Sequence, residues 1–512
     1  MTMREVDYEV VVIGAGFGGI GAGIKLADSG IHDFVILERA ADVGGTWRDN
    51  VYPGVGVDVP SWNYCFSFEP NQNWENWFAK GHELKAYADH CVDKYALRSH
   101  LRLDTTVEKA SFDEEHHRWR VDTDRLGAIT ARYVIFAYGG LTEPKRPDIA
   151  GLDEFDGTAM HSARWDPDHD LTGKRVAVIG TGSSAAQLIP AVAEQAAHVR
   201  VFQRTPIWAV PALDFRIPRA IRWLLRRVPR TNIVFRIAAV LMIEGFFYFG
   251  IRFKLPAMVT MVEWMGLALM RLQVKDPELR AALTPNYRFG CKFPTFSNRY
   301  YKTFARDNVE LVTAGIERIT PTGVRTADGA HHEIDTLILA TGFHIYDRVP
   351  PFPVFGADGA ELGDHFDVNR WAAYEGVTIP GWPNSFWILG PYSVTGSYFL
   401  MVENSATHAI RCIEEAERRG ATRIDIEREP HDRFFDEMVT RQSTSIFYAS
   451  NCANAHSFYF DKFGDVPLIR PSTGAEAWWR ARSFPLDHYA FTKKQAVVAD
   501  RDNTTDQEAA QS

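Results

Sequence analysis

The sequence predicts an α/β protein with two Rossmann-like domains, the second inserted in the first and itself carrying a helical insertion. Three observations point there. Tyr8 to Ile13 is a short apolar run ending in Gly14-Ala15-Gly16-Phe17-Gly18-Gly19; a helical stretch, Ile20 to Asp28, leads to a second run, Phe34 to Leu37, closed by Glu38. Apolar runs joined through a glycine turn and a helix read as a βαβ unit in a parallel sheet. The unit then returns: Arg175 to Ile179 is a strand, Gly180-Thr181-Gly182-Ser183-Ser184-Ala185 a turn, Ala186 to Ala197 a helix, and Val199 to Phe202 a strand closing at Arg204. Finally, 512 residues are too many for one ordinary core.

Between and after these units, Tyr133 to Ala137 and Leu337 to Ala340 are apolar β runs closely followed by Gly139 and Gly342. They are expected to lead out of the first domain and back into it. The resulting division is a first domain from 1–150, a second from 151–334, and the remainder of the first from 335–499. Helical periodicity with few turn signals places the insertion at about 207–284. The polar stretch 500–512 reads as a disordered tail.

Hydrophobic residues make up 46% and charged residues 24%, the balance of a globular enzyme and not of a disordered chain. A formal charge of -9 argues against general nucleic-acid binding. The five cysteines, Cys65, Cys91, Cys291, Cys412 and Cys452, are scattered and form no C-x-x-C. That disfavours a zinc site, a redox dithiol and a disulfide framework, so the thiols are expected to be free in a reducing cytoplasm. The N-terminus runs straight into a strand pattern, with no charged-then-apolar leader, so secretion is not expected.

In the first turn, glycines permit a tight bend and let the backbone approach a pyrophosphate at a helix N-terminus. Glu38, 24 residues after Gly14, stands where a carboxylate accepts hydrogen bonds from a ribose. A mere glycine-rich turn is the bland alternative, but strand, helix and acid all stand in register. The second unit has Gly180 and Gly182, with Ala185 in the third position. Its closing Gln203-Arg204-Thr205 lacks a carboxylate. A guanidinium there can pair with a 2'-phosphate, which points to NADPH over NADH; a solvated strand-end charge is the alternative. FAD in the first site and NADPH in the second is the arrangement of flavin monooxygenases and of disulfide reductases. The missing C-x-x-C tells against the reductases.

Two longer strings carry a family resemblance. Phe155-Asp156-Gly157-Thr158-Ala159-Met160-His161-Ser162-Ala163-Arg164-Trp165-Asp166 fits F-x-G-x-x-x-H-x-x-x-W-[P/D], and Gly44-Gly45-Thr46-Trp47, followed by Tyr52-Pro53-Gly54 and Asp58, fits a second signature. On these strings the chain resembles the type I Baeyer–Villiger monooxygenases, of the class B flavin-containing monooxygenase family, along nearly its whole length. The resemblance implies an enzyme in which NADPH reduces FAD and oxygen is captured as a C4a-peroxyflavin. One oxygen atom then enters a small lipophilic ketone, giving an ester or lactone. It implies FAD-side residues Gly14, Gly16, Phe17, Gly18, Gly19, Glu38, Gly45, Thr46, Trp47, Asp58 and Tyr64. On the NADPH side it implies Gly180, Thr181, Gly182, Ser183, Ser184, Gln187, Arg204, Thr205, Lys292 and Phe458. Phe155, Gly157, His161, Trp165 and Asp166 take a hinge or interdomain role. His161 and Trp165 are four apart and would share a face if that segment were helical.

The chain departs from the family at the reacting centre. The family steadies the peroxide anion with an arginine beside the flavin, held by the aspartate that matches Asp58. A pre-placed cation in a water-poor site contributes roughly 3–4 kcal/mol. Here Gly290-Cys291-Lys292-Phe293-Pro294 puts Phe293 in that arginine's place, while Lys292 matches the lysine that helps bind the 2'-phosphate. The catalytic candidates are therefore Asp58, Lys292 and Phe293. Arg288, Arg299 or Lys292 could restore the cation. Otherwise the hydroperoxide keeps its proton, which suits S- or N-oxygenation, or NADPH oxidation runs uncoupled and releases hydrogen peroxide. Phe458 stands where relatives have tryptophan against the nicotinamide, and lacks the indole donor.

Arg216, Arg219, Arg222, Arg226, Arg227 and Arg230 fall together without an acid, and the apolar stretch Thr231 to Phe253 follows. Arg236, Glu244 and Arg252 interrupt it, which weighs against a membrane span. Two readings of 216–253 stand: a helical lid whose apolar side covers the site, or peripheral contact with an anionic membrane surface.

Overall fold

The computed structural model describes residues 6–494 apart from 229–230, 253 and 348–349; the tail expected at 500–512 lies outside the described residues. Tyr8–Ile13 forms the centre of the first sheet, parallel to Phe34–Leu37 on one side and to Gly127–Phe136 on the other. Val10, Val11 and Val12 are wholly buried, as a strand covered on both faces requires. An antiparallel ribbon, Val107–Asp113 with Arg118–Thr123, extends the sheet beyond Gly127–Phe136. Val354–Phe355 and Ser385–Trp387 join the same sheet from far along the chain. The second domain is therefore inserted in the first.

The second sheet is all parallel, in the order Val309–Val312, His198–Phe202, Arg175–Ile179, Thr336–Leu339, Thr158–His161. This corrects the division at 334/335. Thr336–Leu339 does not lead back into the first domain but pairs inside the second sheet, between Arg175–Ile179 and Thr158–His161. The reason lies in the glycine turns. Gly14 adopts φ +106° with its Cα pressed under Ala137, where a methyl group would meet the carbonyl oxygen at 2.6 Å. Gly180 adopts φ +112° and would meet Ala340 O at 2.4 Å. The runs ending at Ala137 and Ala340 are thus the same structural part in two domains, each strand closing on its own glycine turn.

The helical insertion is present as Arg219–Arg227, Thr231–Gly245, Pro256–Gln273 and Pro277–Leu283. The long helix Tyr398–Arg419 starts at Ser397, whose hydroxyl accepts from Leu400 N, and stops at Gly420 in the left-handed region. It packs against Phe17–Asp28 so closely that a methyl on Gly21 would meet Val402 Cγ1 at 2.7 Å.

The fingerprint segment is not helical. Thr158–His161 is a strand, Ser162–Arg164 a single 3-10 turn, and Trp165 extended, so His161 and Trp165 do not share a helix face. Strand pairing of His161 with Leu339 overrides the four-residue spacing. A second correction concerns the cysteines. Cys291 and Cys452, 161 residues apart, are joined in a disulfide with Cα atoms 5.0 Å apart; Cys65, Cys91 and Cys412 are free and buried. The bridge removes the free-thiol argument for a reducing compartment.

Candidate active site

The two glycine turns are near copies. Gly16 caps Phe17–Asp28 at φ -73°, ψ -174°, and Gly182 caps Ser183–Val192 at φ -72°, ψ -173°. Both conformations suit any residue, so these glycines are not there for their backbone angles. A methyl on Gly182 would meet nothing within 4 Å, and one on Gly16 would meet only Gly45 Cα at 3.6 Å. What a Cβ would fill is the space in front of a helix N-terminus, the cradle a pyrophosphate needs. Gly19 differs: a methyl there would sit 1.8 Å from Gly14 O, so it serves helix-to-strand packing. Phe17 is a core ring against Phe399 at 4.8 Å, and adjacent Gly18 packs against Ala137 and Ile388.

Glu38 ends the second strand, 5% exposed, where Ala15 N donates to Oε2 at 2.9 Å and Ala40 N to Oε1 at 3.0 Å. Arg48 lies 3.0 Å from the same carboxylate and also donates to Asp42 O at 2.6 Å. Arg48 escaped the sequence reading; its position directly after Trp47 in the second signature is the signal that marks it. The turn Gly44–Gly45 docks on the first glycine turn through Gly44 N to Ala15 O at 2.9 Å. Thr46 opens the short helix that follows. Trp47 Nε1 donates to Tyr64 OH at 3.1 Å, and Tyr64 stacks on Tyr398 at 5.7 Å. These contacts gather the FAD-side candidates around one turn.

On the other side, Thr181 Oγ1 donates to Thr205 O at 2.7 Å, tying the second turn to the strand end that carries Arg204. Ser183 Oγ lies 3.3 Å from Thr295 Oγ1, just beyond Lys292. Burial and the neighbouring Arg204 charge lower Lys292 to about 8. Two cations that repel each other at a strand end are the electrostatic form of a phosphate site. Gln187, expected on the NADPH side, reaches across from it. Its amide faces the flavin-side loop: Tyr52 OH donates to Oε1 at 2.9 Å, and Nε2 donates to Gly56 O and Asp58 Oδ1, both at 3.1 Å. Ser184 also reaches the Tyr52 hydroxyl.

Asp58 is raised to about 7, first by burial, against the lowering effects of the Gln187 hydrogen bond and of Lys80. Lys80 itself pairs with Asp214 at 2.7 Å. Phe293 is 44% exposed, a ring where the family has a guanidinium. Two of the three cations that could replace it are committed elsewhere. Arg288 pairs with Glu263 at 2.7 Å, and Arg299 with Glu194. Lys292 remains, 5.8 Å above the Tyr287 ring. The disulfide holds this loop to the segment that leads to Phe458, 43% exposed. No group of acidic, histidine or cysteine side chains suited to a metal occurs among the described residues.

In the fingerprint, Gly157 has no room for a side chain: a methyl would meet Phe155 Cζ at 2.5 Å and Asp335 O at 2.6 Å. His161 Nδ1 accepts from Ala163 N at 3.1 Å, and burial holds the ring neutral, down to about 4. Its edge meets Phe343 at 5.9 Å, just past the strand that leaves the second sheet. Trp165 packs on the second-domain core, while Asp166 is exposed and caps its own turn by accepting from Asp168 N at 3.0 Å. The segment stands where the chain passes between domains.

Two nucleotide cradles, an acid at one strand end and two cations at the other define a flavoprotein that takes electrons from NADPH. A family profile described as pyridine nucleotide-disulphide oxidoreductase matches residues 11–230. A Baeyer-Villiger monooxygenase of Streptomyces coelicolor is 39% identical over 490 residues, covering 94% of this chain and 92% of the relative. One from Pseudomonas aeruginosa is 36% identical over 446 residues, covering 87% and 84%. A crystal structure of OTEMO in complex with FAD and NADP superposes with a TM-score of 0.83 at 28% identity, covering 96% of this chain and all of that one. The chain belongs to the Baeyer–Villiger monooxygenases. It is an NADPH-dependent flavoprotein monooxygenase that uses FAD and O2 on a small organic substrate.

Proposed function

We propose that this enzyme converts a lipophilic ketone to an ester or lactone. Ketone, O2, NADPH and a proton give ester, water and NADP+. The observation that carries the substrate class is the pair of exposed rings, Phe293 and Phe458, on the two loops tied by Cys291–Cys452. Apolar rings at these two positions favour an apolar substrate.

FAD, reduced by NADPH, supplies the activated oxygen when bound. The chain's own residues bind and orient. Glu38 accepts from ribose hydroxyls, and the open space at Gly16 and Gly182 admits each pyrophosphate. Arg204 and Lys292 hold the 2'-phosphate, and Thr205 fixes the turn beneath it. Thr46, Trp47 and Tyr64 form the flavin-side wall. Gln187 holds Asp58, whose carboxyl, near 7, keeps or releases a proton at working pH. His161, Trp165 and the rest of the fingerprint set the angle between the domains.

The test is product analysis under 18O2 with aliphatic and aryl ketones and with a thioether, with the wild type beside Phe293→Arg. Ester carrying one labelled atom, formed at a rate that rises in Phe293→Arg by up to about 10²–10³, is the expected result. Label appearing only in sulfoxides, or hydrogen peroxide matching NADPH consumed, overturns the ketone assignment.

A further inference from the structure

We infer that the outer face of the helical insertion docks on an anionic phospholipid surface, an interaction that goes beyond the oxygenation reaction and does not depend on it. Between Asp214 and Glu244 the chain has seven arginines and no acid, in a protein of net charge -9. Some of these arginines are spent inside the protein. Arg216 and Arg222 share Glu75, at 2.9 and 3.0 Å. Arg236 donates to Cys65 O and Phe66 O, both at 3.1 Å. Arg230 lies outside the described residues. Arg219, Arg226 and Arg227 remain exposed, and no carboxylate pairs with them among the described residues.

Next to these cations lies apolar surface that nothing among the described residues covers. Helix Thr231–Gly245 has two apolar faces. Asn232, Ala239 and Ile243 point inward, whereas Ile233, Val234, Ile237 and Leu241 are each more than half exposed. Trp223 on the arginine helix is 61% exposed, and Trp264 on Pro256–Gln273 is 65% exposed. A lid needs only the inward face. The outward one calls for a partner, because exposed apolar area of this extent marks an interaction site.

The stretch Thr231–Ile251, mean hydropathy 1.8, is long and apolar enough to cross a membrane, but it is fastened along the first domain. Trp62 Nε1 donates to Asn232 Oδ1 at 2.9 Å, Phe235 stacks on Trp62 at 4.9 Å, and Gly474 N donates to Glu244 Oε2 at 2.8 Å. A helix held this way lies on a bilayer and does not span it. Charge complementarity selects lipid over a second copy of the chain. A symmetric dimer through this face would set its arginines against themselves, whereas anionic headgroups neutralise them while the acyl boundary takes up the apolar side chains.

The test is co-sedimentation of the FAD-loaded enzyme with phosphatidylcholine vesicles and with an equal mixture of phosphatidylcholine and phosphatidylglycerol. Binding to the mixed vesicles alone is expected, weakening with salt and falling roughly tenfold in Arg226→Glu/Arg227→Glu. Val234→Glu/Leu241→Glu should lower it comparably, with melting temperature and NADPH oxidation unchanged. No sedimentation, equal binding to both vesicle types, or a dimer in ultracentrifugation that these substitutions dissolve would overturn the inference.

Discussion

Gln187 Nε2 donates to Asp58 Oδ1 at 3.1 Å, so a helix of the second domain grips the one acid that the reacting centre retains. Gly54, just upstream at φ +89°, lies so close to that helix that a methyl would meet Gln187 O at 2.6 Å. The aspartate of the family's arginine–aspartate pair is kept and held, although Phe293 stands in the arginine's place.

That arrangement makes Asp58 a pH-dependent cost. Its carboxyl is raised by burial from 3.8 to about 7, so the folded protein holds the proton that the unfolded chain releases. The stability it contributes is full below about 3.8 and is lost as pH rises through about 7. Asp58→Asn keeps the acceptor for Gln187 and removes the ionisation. Its melting temperature should gain on the wild type between pH ~4 and ~7 and keep a constant lead above that. Parallel curves would contradict this.

Lys292 titrates in the opposite sense. Burial and Arg204 lower it to about 8, so above that pH the proposed 2'-phosphate site loses one of its two cations. The NADPH dissociation constant should rise there, while Lys292→Arg holds it flat. Arg204→Ala should weaken NADPH about 10–100-fold and leave NADH nearly unaffected. Fluorescence titration with both nucleotides across pH reads each effect.

Gly182→Ala separates folding from binding. Its φ of -72° is open to alanine and nothing lies within 4 Å of the new methyl. The variant should melt like the wild type with FAD bound, yet show an NADPH KM raised at least about tenfold. Gly19→Ala, whose methyl would sit 1.8 Å from Gly14 O, should fail to fold or to retain FAD. A Gly182→Ala enzyme with ordinary KM would mean that the phosphates lie elsewhere.

The Cys291–Cys452 bond can be counted. Denatured without reductant, the protein should present three thiols, and five after reduction. Cys291→Ser frees the loop of Lys292 and Phe293 from the segment leading to Phe458. In the chain-entropy picture, closing so long a loop is worth about 4–5 kcal/mol, so the melting temperature should drop and NADPH bind more weakly. Five thiols before reduction would refute the bridge.

Both βαβ units were legible because their information is local. A glycine turn between an apolar run and a helix leaves its mark within some thirty residues, and the acid or arginine at the strand end follows from the same register. Membership of the family, and with it the pair of cofactors, was legible in the same way. What could not be read depended on partners far along the chain. The runs ending at Ala137 and Ala340 look alike, and only strand pairing assigns Thr336–Leu339 to the second sheet. His161 and Trp165 carry a helical spacing that pairing with Leu339 cancels. Cys291 and Cys452 meet across 161 residues, Arg288 and Arg299 are claimed by Glu263 and Glu194, and Gln187 binds Asp58. Local backbone preference writes turns and strands into sequence, while which side chain neutralises which charge is settled by packing of distant segments.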